Sequence, residues 1–444
     1  MIPATPESAR LYIEGGIPLQ GDVVISGAKN SVLKLMAAAL LTTEPVIIEN
    51  VPRLSDVDVM MSVLSHLGAQ VGWQGPNTIG IQASQLGTVE APFELVSKMR
   101  ASFNVLAPLL SRFGTARVSL PGGCSIGKRG IDLHVKGLQA LGADVEIVHG
   151  FVEAKANKLY GADVIFDLPS VGATENIMVA AVLAEGTTTI TNAAQEPEIV
   201  DLANFLNAMG ADVHGAGSHK IVIHGVAAHT LRGITHAVIP DRIEAATFLL
   251  AGAATQGQVT IAHCIPEHIR SLTTKLEDMG ATLVQKGLDV LEIKAKHPLQ
   301  SEHIVTLPYP GFPTDLQAPM MALMATCEGS SVVRETIYEN RFGHVDFLRR
   351  MGAQIELDNN VAVVHGVPKL SAASVDASDL RAAAALILAA LMADGMTDIG
   401  ALHHLDRGYD NIEGKLLRLG ATISRRGASE YPTGRVEPSR LAQF

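Results

Sequence analysis

Residues 382–393 read AAAALILAALMA, twelve residues without a polar side chain on any face. A helix that is apolar all round has to be buried on every side. A membrane span needs about 20 apolar residues, so this run is too short to cross a bilayer. Its many alanines allow neighbouring helices to approach closely. The stretch therefore predicts a helix at the centre of a globular core.

Five further stretches have the same character. They are SVLKLMAAALL (31–41), ASFNVLAPLLSRF (101–113), ENIMVAAVLAE (175–185), IEAATFLLAGAAT (243–255) and LQAPMMALMAT (316–326). A short stretch typical of a β-strand follows each of the six, such as TTTITNA or QVTIAHC. These buried helices also explain a mean hydropathy of +0.25 in a chain without a membrane-length run.

A repeated tripeptide, Leu/Met-Gly-Ala, divides the chain into six units of roughly 70 residues. Its glycines are Gly68, Gly142, Gly210, Gly280, Gly352 and Gly420. Each tripeptide ends an amphipathic stretch such as HVDFLRRMGA, which predicts a surface helix stopped by a glycine at positive φ. Units of this length are complete α/β modules, longer than the repeats of a solenoid.

Six units and 444 residues favour two domains of three units each. Each domain would enclose three Ala-rich helices behind outer strands. A single long solenoid is the alternative, but a stack would expose one face of these helices. The boundary falls between units three and four, near residues 225–240. We expect one domain over 29–239, a second over 1–28 plus 240–426, and a flexible tail over 427–444.

Composition argues against several classes of protein. The net charge of −11 and the pI near 5.8 argue against a nucleic-acid-binding face. Aromatic residues make up 4%, too few for base-stacking platforms. The N-terminus, MIPATPESAR, lacks the features of a secretion signal. Three scattered cysteines give no disulfide framework. We expect a cytoplasmic protein that binds neither nucleic acid nor membrane.

Cations stand at the start of four of the six buried helices, where the helix dipole disfavours them: Lys29, Arg100, Arg242 and Arg381. Helix N-termini are natural anion sites. We therefore expect a cleft in which these helix ends converge on an anionic ligand. The alternative explanation is that the cations form surface salt bridges.

Residues 121–130, PGGCSIGKRG, form a glycine-rich loop around Cys124. The adjacent Lys128 and Arg129 favour the thiolate, so the loop predicts a reactive cysteine that can close over a substrate. An incidental thiol is the alternative. The loop is not a nucleotide-binding P-loop, because Arg129 stands where Ser or Thr would bind Mg²⁺. His263, Cys264 and His268 lack a second ligand cluster, so we expect no metal site.

Several segments together resemble the UDP-N-acetylglucosamine 1-carboxyvinyltransferases of the enolpyruvyl transferase superfamily. They are SGAKNSVL, MRASFNVLAP, LPGGCSIGKRGIDLH, PSVGATEN, EPEIVDLANFL, IPDRIEAATFL, FPTDLQA, YENRF, DLRAAAALI and HLDRGYDNIEGKL. The resemblance runs from about residue 11 to about residue 425. It implies a two-domain inside-out α/β barrel, three repeats to a domain, in agreement with the repeats above.

The resemblance also implies roles for individual residues. Cys124 would be the proton donor, the residue that fosfomycin alkylates in family members, and Asp315 the base, with Lys29 and Arg407 completing the catalytic set. Phosphoenolpyruvate would be bound by Lys29, Asn30, Arg129, Arg341, Arg381 and Arg407. The UDP-sugar would be bound by Arg100, Arg129, Gly130, Ile131, Asp132, Leu133, Ser170, Val171, Gly172, Asp315 and Ile337.

The implied activity is transfer of an enolpyruvyl group to UDP-N-acetylglucosamine in peptidoglycan synthesis. It needs no cofactor, metal or obligate protein partner. Two alternatives stay open: an enolpyruvyl transferase on another acceptor, and a non-catalytic paralogue that binds the UDP-sugar. The chain departs from many relatives at Asn104, Gly130 and Gln195, which bears on nucleotide affinity.

Overall fold

The computed structural model describes residues 8–120, 130–295 and 299–427. Its strands are β1 (Arg10–Glu14), β2 (Gln20–Val24), β3 (Val46–Glu49), β4 (Gln70–Gly75), β5 (Thr78–Gln82), β6 (Glu90–Ala91), β7 (Thr115–Ser119), β8 (Asp144–Val148), β9 (Phe151–Lys155), β10 (Asp163–Ile165), β11 (Thr187–Thr191), β12 (Asp212–His214), β13 (Lys220–His224), β14 (Thr235–Ala237), β15 (Gln258–Ala262), β16 (Thr282–Gln285), β17 (Val290–Lys294), β18 (Ile304–Val305), β19 (Ser330–Arg334), β20 (Gln354–Asp358), β21 (Val361–His365), β22 (Ser374–Asp376), β23 (Met396–Gly400) and β24 (Thr422–Arg426).

The α-helices are α1 (Lys29–Ala38), α2 (Ser55–Leu67), α3 (Phe93–Val96), α4 (Leu106–Phe113), α5 (Asp132–Ala140), α6 (Val171–Ala181), α7 (Pro197–Met209), α8 (Arg242–Ala254), α9 (Arg270–Asp278), α10 (Gln317–Met324), α11 (Val345–Arg350), α12 (Leu380–Met392) and α13 (Ile412–Arg418). Short 3₁₀ turns at Arg100–Val105, Thr314–Leu316 and Leu405–Arg407 carry predicted site residues.

Each repeat builds one four-stranded sheet. The second repeat gives the order β6-β7-β9-β8, in which β6 and β7 are parallel and the other neighbours antiparallel. The other five sheets, β14-β3-β5-β4, β10-β11-β13-β12, β2-β15-β17-β16, β18-β19-β21-β20 and β22-β23-β1-β24, keep this arrangement of one parallel and two antiparallel pairs. The predicted α/β repeat architecture is therefore confirmed.

Three sheets include a strand from a distant part of the chain. Strand β1, near the N-terminus, lies between β23 and β24 of the sixth repeat. Strand β14, after the third repeat, pairs with β3 of the first, while β2, near the N-terminus, pairs with β15 of the fourth. The two crossing segments lie side by side, and the Ala28 amide donates to the Ile239 carbonyl oxygen at 2.7 Å. The Asp241 amide likewise donates to Ser26 at 2.8 Å.

The buried apolar residues form two separate cores. One draws on residues 28–238, and the other on residues 9–25 together with 243–423. We propose that each core belongs to one domain, with boundaries at the paired crossing segments. Apart from Gly427, the expected tail over 427–444 lies outside the described residues.

The predicted apolar helices occupy the middle of these cores. Helices α1, α4 and α6 lie in the first core, and α8, α10 and α12 in the second. Helix α10 packs against α12, and both pack against α8. Every alanine from 382 to 385 on α12 is almost inaccessible to solvent, because small side chains let the three helices approach on all sides. None of the helices in the described ranges is long and apolar enough to cross a membrane.

All six repeat glycines have positive φ, between 90° and 110°. Each lies one or two residues beyond the end of its amphipathic helix, as the sequence pattern predicts. An L-residue with a side chain loses on the order of 1–2 kcal/mol in this conformation, so the repeat depends on glycine at these positions.

The neighbourhood of each glycine should set the size of that penalty. A Cβ at Gly68 would lie 2.6 Å from the Gly87 backbone nitrogen, whereas one at Gly142 would meet only the Tyr160 ring, at 3.7 Å. We expect Gly68→Ala to lower the melting temperature clearly more than Gly142→Ala, with both below wild type. Thermal unfolding followed by circular dichroism checks this. Equal shifts would mean that the close approach at Gly68 is absent.

Candidate active site

The cations at the helix starts have polar partners inside the protein. Three of them form ion pairs with carboxylates: Lys29 Nζ with Asp56 at 2.8 Å, Arg242 Nε with Glu198 at 3.0 Å and Arg381 Nη2 with Asp315 at 2.7 Å. The fourth, Arg100, donates to the Gly130 carbonyl oxygen at 3.2 Å. Three of the four cations thus form ion pairs, but these cations are largely buried, unlike those of the surface salt bridges of the alternative explanation.

The first cluster joins the two cores. Asp56, at the start of α2, accepts from Lys29 and from Arg407, whose Nε lies 2.9 Å from Oδ1. Burial lowers the pKa of the Lys29 ammonium, and Asp56 only partly offsets this effect. Burial alone would raise the pKa of Asp56, but the charges of Lys29 and Arg407 outweigh it and hold that pKa below its usual range. The cluster therefore holds two positive charges against one negative charge.

The second cluster surrounds Asp315. Arg341 Nη2 and Arg381 Nη2 each lie 2.7 Å from a different oxygen of this carboxylate. Burial opposes the charge on Arg381, yet Asp315 outweighs it and raises the arginine pKa. Nε and Nη1 of the buried Arg341 have no hydrogen-bond partner among the described residues. Two donors of a buried guanidinium are thus available to a ligand.

The two clusters lie close enough to interact. The charge of Arg381 contributes to the lowered pKa of Lys29, after burial and the charge of Arg407. Helix α1 of one core and helix α12 of the other therefore bring their first turns to one region. The four cations Lys29, Arg341, Arg381 and Arg407 all belong to these two clusters, and their binding of phosphoenolpyruvate stays a prediction.

A third group gathers most of the predicted nucleotide-sugar residues. Arg100 contacts Gly130, and Asp132 begins α5 with Leu133 beside it. Ser170 caps α6, where its hydroxyl accepts from the Ala173 amide at 3.3 Å. Val171 and Gly172 form the first turn of α6. Ile131 and Leu133 pack on the edge of the first core.

His134 also belongs to this group, although it is not among the individually predicted site residues. A Cβ at Gly172 would lie 3.1 Å from its ring, so a side chain there would require the ring to shift by a few tenths of an ångström. Burial, with a smaller contribution from Arg100, lowers the pKa of His134 to about 4, and the ring is neutral at pH 7. Its buried Nδ1 has no partner among the described residues.

The remaining predicted residues lie nearby or outside the described part. Asn30 follows Lys29 on α1. The Ile337 amide donates to Glu335 at 2.7 Å, in the loop that also carries Arg341. Gln195 is partly buried just before α7. Cys124 and Arg129 lie outside the described residues, so their roles stay predictions.

Two carboxylates of the site, Asp56 and Glu198, were missed in the sequence. Asp56 stands in the first turn of an amphipathic helix, where an acidic residue is expected for the helix dipole alone. Glu198 occupies the same position on α7. Their role becomes visible only in the folded structure, because their partners are distant in sequence. Arg407, for example, is 351 residues from Asp56.

Two other features stand apart from these clusters. An open groove of about 660 Å³ is lined by His268, Tyr309 and Phe312 among others, but by none of the predicted site residues. Asp212, His214 and His224 form the one metal-compatible cluster within the described ranges, and no predicted site residue belongs to it. We assign the site to the ion-pair clusters, because they concentrate buried charge and unpartnered donors.

Comparison with known proteins identifies relatives that match nearly the whole chain. The chain matches the family model for EPSP synthase (3-phosphoshikimate 1-carboxyvinyltransferase) over residues 13–416. It is 52% identical over 431 residues to a UDP-N-acetylglucosamine 1-carboxyvinyltransferase of Gloeobacter violaceus, covering 97% of this chain and 94% of that protein. It is 53% identical over 417 residues to UDP-N-acetylglucosamine 1-carboxyvinyltransferase 2 of Carboxydothermus hydrogenoformans, covering 94% and 99%.

Solved structures share the fold. The enolpyruvyl transferase NikO from Streptomyces tendae superposes with a TM-score of 0.84 at 29% identity, covering 95% of this chain and 99% of that one. An EPSP synthase from Acinetobacter baumannii gives a TM-score of 0.74 at 18% identity, covering 94% and 100%. The predicted fold class is confirmed.

The buried position of Asp56 makes a stability prediction. Asp56→Asn leaves Lys29 and Arg407 without their counter-charge, and removing one partner of a buried pair costs about 3 kcal/mol or more; the partial exposure of Arg407 places the expected loss near the lower end. Asp167→Asn is the matched control, since Asp167 forms an exposed pair with Lys136 and should cost less than about 1 kcal/mol. Urea unfolding of both variants checks this. Similar losses would contradict the buried cluster.

Proposed function

The chain belongs to the UDP-N-acetylglucosamine 1-carboxyvinyltransferase family, and we propose that it transfers the enolpyruvyl group of phosphoenolpyruvate to the 3-hydroxyl of UDP-N-acetylglucosamine with release of phosphate. One observation of the site carries this proposal. Four cations from both cores form two interacting clusters, Lys29 and Arg407 at Asp56 and Arg341 and Arg381 at Asp315, where a small trianion and a sugar hydroxyl would meet. The first turns of α5 and α6 offer the neighbouring nucleotide-sugar surface.

The cations divide between the two acidic ends of phosphoenolpyruvate. Lys29 and Arg407 bind the phosphate, together with Arg129 and beside Asn30. Arg341 and Arg381 bind the carboxylate, and the unpartnered Nε and Nη1 of Arg341 supply donors without breaking its contact to Asp315. Such preorganised donors stabilise charge as it develops during the reaction.

Asp315 acts as the base. It removes the proton of the sugar 3-hydroxyl as the oxygen attacks C2 of phosphoenolpyruvate, while C3 receives a proton from Cys124. The tetrahedral ketal then loses a proton from C3 and expels phosphate, which restores the double bond. Arg341 and Arg381 hold the two oxygens of Asp315 in a fixed orientation, so the base is positioned before the substrate arrives.

The nucleotide sugar lies along the third group of residues. Arg100 and Arg129 are cations for the diphosphate, with Ser170, Val171 and Gly172 at the positive end of α6. Gly130, Ile131, Asp132 and Leu133 form the surface for the uridine, and Ile337 with Asp315 the surface for the sugar. No metal or organic cofactor enters this scheme.

The cellular role follows from the reaction. The product of this transfer would be a precursor of peptidoglycan. We propose that the protein acts in the cytoplasm, where both substrates are made. Alkylation of Cys124 by fosfomycin should block it. Two other functions are tested by the same assay: transfer to a different acceptor, and binding of the UDP-sugar without turnover.

The acceptor is settled by phosphate release. We expect release from phosphoenolpyruvate to depend on UDP-N-acetylglucosamine and to be absent with shikimate 3-phosphate. Phosphate release that does not depend on an acceptor is recognised in the control with phosphoenolpyruvate alone. No release with the UDP-sugar, in spite of its binding by calorimetry, would favour the non-catalytic alternative.

The role of Asp315 is tested by Asp315→Asn. The amide keeps the shape and one hydrogen-bond acceptor but cannot take the proton, so kcat should fall by about 10²–10⁴-fold. Asp376→Asn is the matched control, since Asp376 pairs with Arg10 on an exposed strand and should leave kcat within about twofold. A kcat near wild type in Asp315→Asn would move the base elsewhere.

A further inference from the structure

A buried polar network joins the three central helical segments of the first core. It begins on α1, where Lys34 Nζ contacts the backbone carbonyl oxygen of Asn30 and lies 3.3 Å from Glu175 Oε1. The latter contact is an ion pair without hydrogen-bond geometry. Glu175 lies on α6, and its other oxygen accepts from Asn104 Nδ2 at 3.2 Å. Asn104 belongs to the 3₁₀ turn that starts with Arg100.

The network continues to the nucleotide-sugar side. Asn176 Nδ2 donates to Asn104 Oδ1 at 2.8 Å and approaches the Gly172 carbonyl oxygen at 3.3 Å. One chain of polar contacts therefore runs from Asn30 to Gly172. Its two ends are residues assigned above to different substrates.

The burial of these groups gives the network its importance. Glu175 and Asn176 are almost inaccessible to solvent, and burial raises the pKa of Glu175 to about 7 in spite of Lys34. A buried charge pair adds little to stability compared with apolar residues of the same volume. Buried polar networks instead fix the relative positions of the elements they join. The three joined elements carry Lys29, Arg100 and Gly172 in their first turns.

We propose that Lys34, Glu175 and Asn104 are positioning residues that couple the UDP-sugar site to the phosphoenolpyruvate site. The proposal rests on the function proposed above. A nucleotide sugar that contacts Arg100 and Gly172 fixes the 3₁₀ turn and α6. Through Asn104 and Glu175, this fixes Lys34 and the first turn of α1, so that Lys29 and Asn30 are preset for the second substrate. Asn104, at which this chain departs from many relatives, links Glu175 to Asn176 in this network.

Asn104→Leu tests the coupling, because the side chain has a similar volume but makes neither hydrogen bond. The side chain of Asn104 forms its hydrogen bonds with Glu175 and Asn176, neither of which is assigned to phosphoenolpyruvate. We nevertheless expect the KM for phosphoenolpyruvate, at saturating UDP-N-acetylglucosamine, to rise by about fivefold or more, with kcat within about twofold. Steady-state phosphate release measures both constants.

Asn207→Leu is the matched control. Asn207 makes two side-chain hydrogen bonds to Val213, each 2.8 Å long, outside the network. This variant should lose stability as Asn104→Leu does but leave the KM for phosphoenolpyruvate unchanged. If Asn104→Leu also lowers only the melting temperature, the network merely supports the core and the coupling is refuted.

A double-variant cycle gives a second test. Lys34→Met and Asn104→Leu break the same chain of contacts at different points. If they act through Glu175, the KM of the double variant should exceed that of the more severe single variant by less than about twofold. Multiplying effects would mean independent actions and would overturn the proposal. Absence of UDP-sugar-dependent turnover in the wild type would instead refute the function itself.

Discussion

The absence of a polar face on the six central helices constrains everything else in this molecule. Most residues of these helices are buried, so a charged side chain at mid-helix needs a partner inside the core, as Lys34 has in Glu175. The first turns of α1, α8 and α12 carry cations that pair with carboxylates at the site. Polar chemistry is therefore concentrated in first turns, at Lys29 on α1, Arg242 on α8 and Arg381 on α12. The repeat that builds the cores therefore also places charged residues in the first turns of these helices.

The carboxylates at those ends keep the unliganded protein stable. Asp56 and Glu198 come from one core, and Arg407 and Arg242 come from the other, so two ion pairs join the cores across the site. A buried cation without a counter-charge would cost several kcal/mol. An anionic substrate can share or replace these carboxylates, which makes binding and the relative position of the two cores interdependent. Asp315 differs from both, because its partners Arg341 and Arg381 lie in its own core.

The sequence predicted most of the fold because the responsible signals are local. The alanine-rich stretch at 382–393 and glycines such as Gly68 need no knowledge of distant residues. The exchange of β2 and β14 between sheets is different, since strand pairing over more than 180 residues leaves no local pattern. At the site, Lys29 and Arg381 attracted notice because a cation conflicts with the helix dipole. Asp56 and Glu198 are acidic residues in first turns, where the helix dipole favours them, so the sequence contains no conflict that marks them. In the structure they are the counter-charges of Lys29, Arg407 and Arg242.

The central claim is that substrate anions are bound by cations at the ends of the buried helices. A crystal structure of the Asp315→Asn variant with phosphoenolpyruvate and UDP-N-acetylglucosamine tests it most directly. We predict the phosphate within hydrogen-bond distance of Lys29 Nζ and the Arg407 guanidinium, and the substrate carboxylate at Arg341. Substrate bound instead in the groove beside His268 and Tyr309, with the contacts of Asp56 to Lys29 and Arg407 unchanged, would contradict the account.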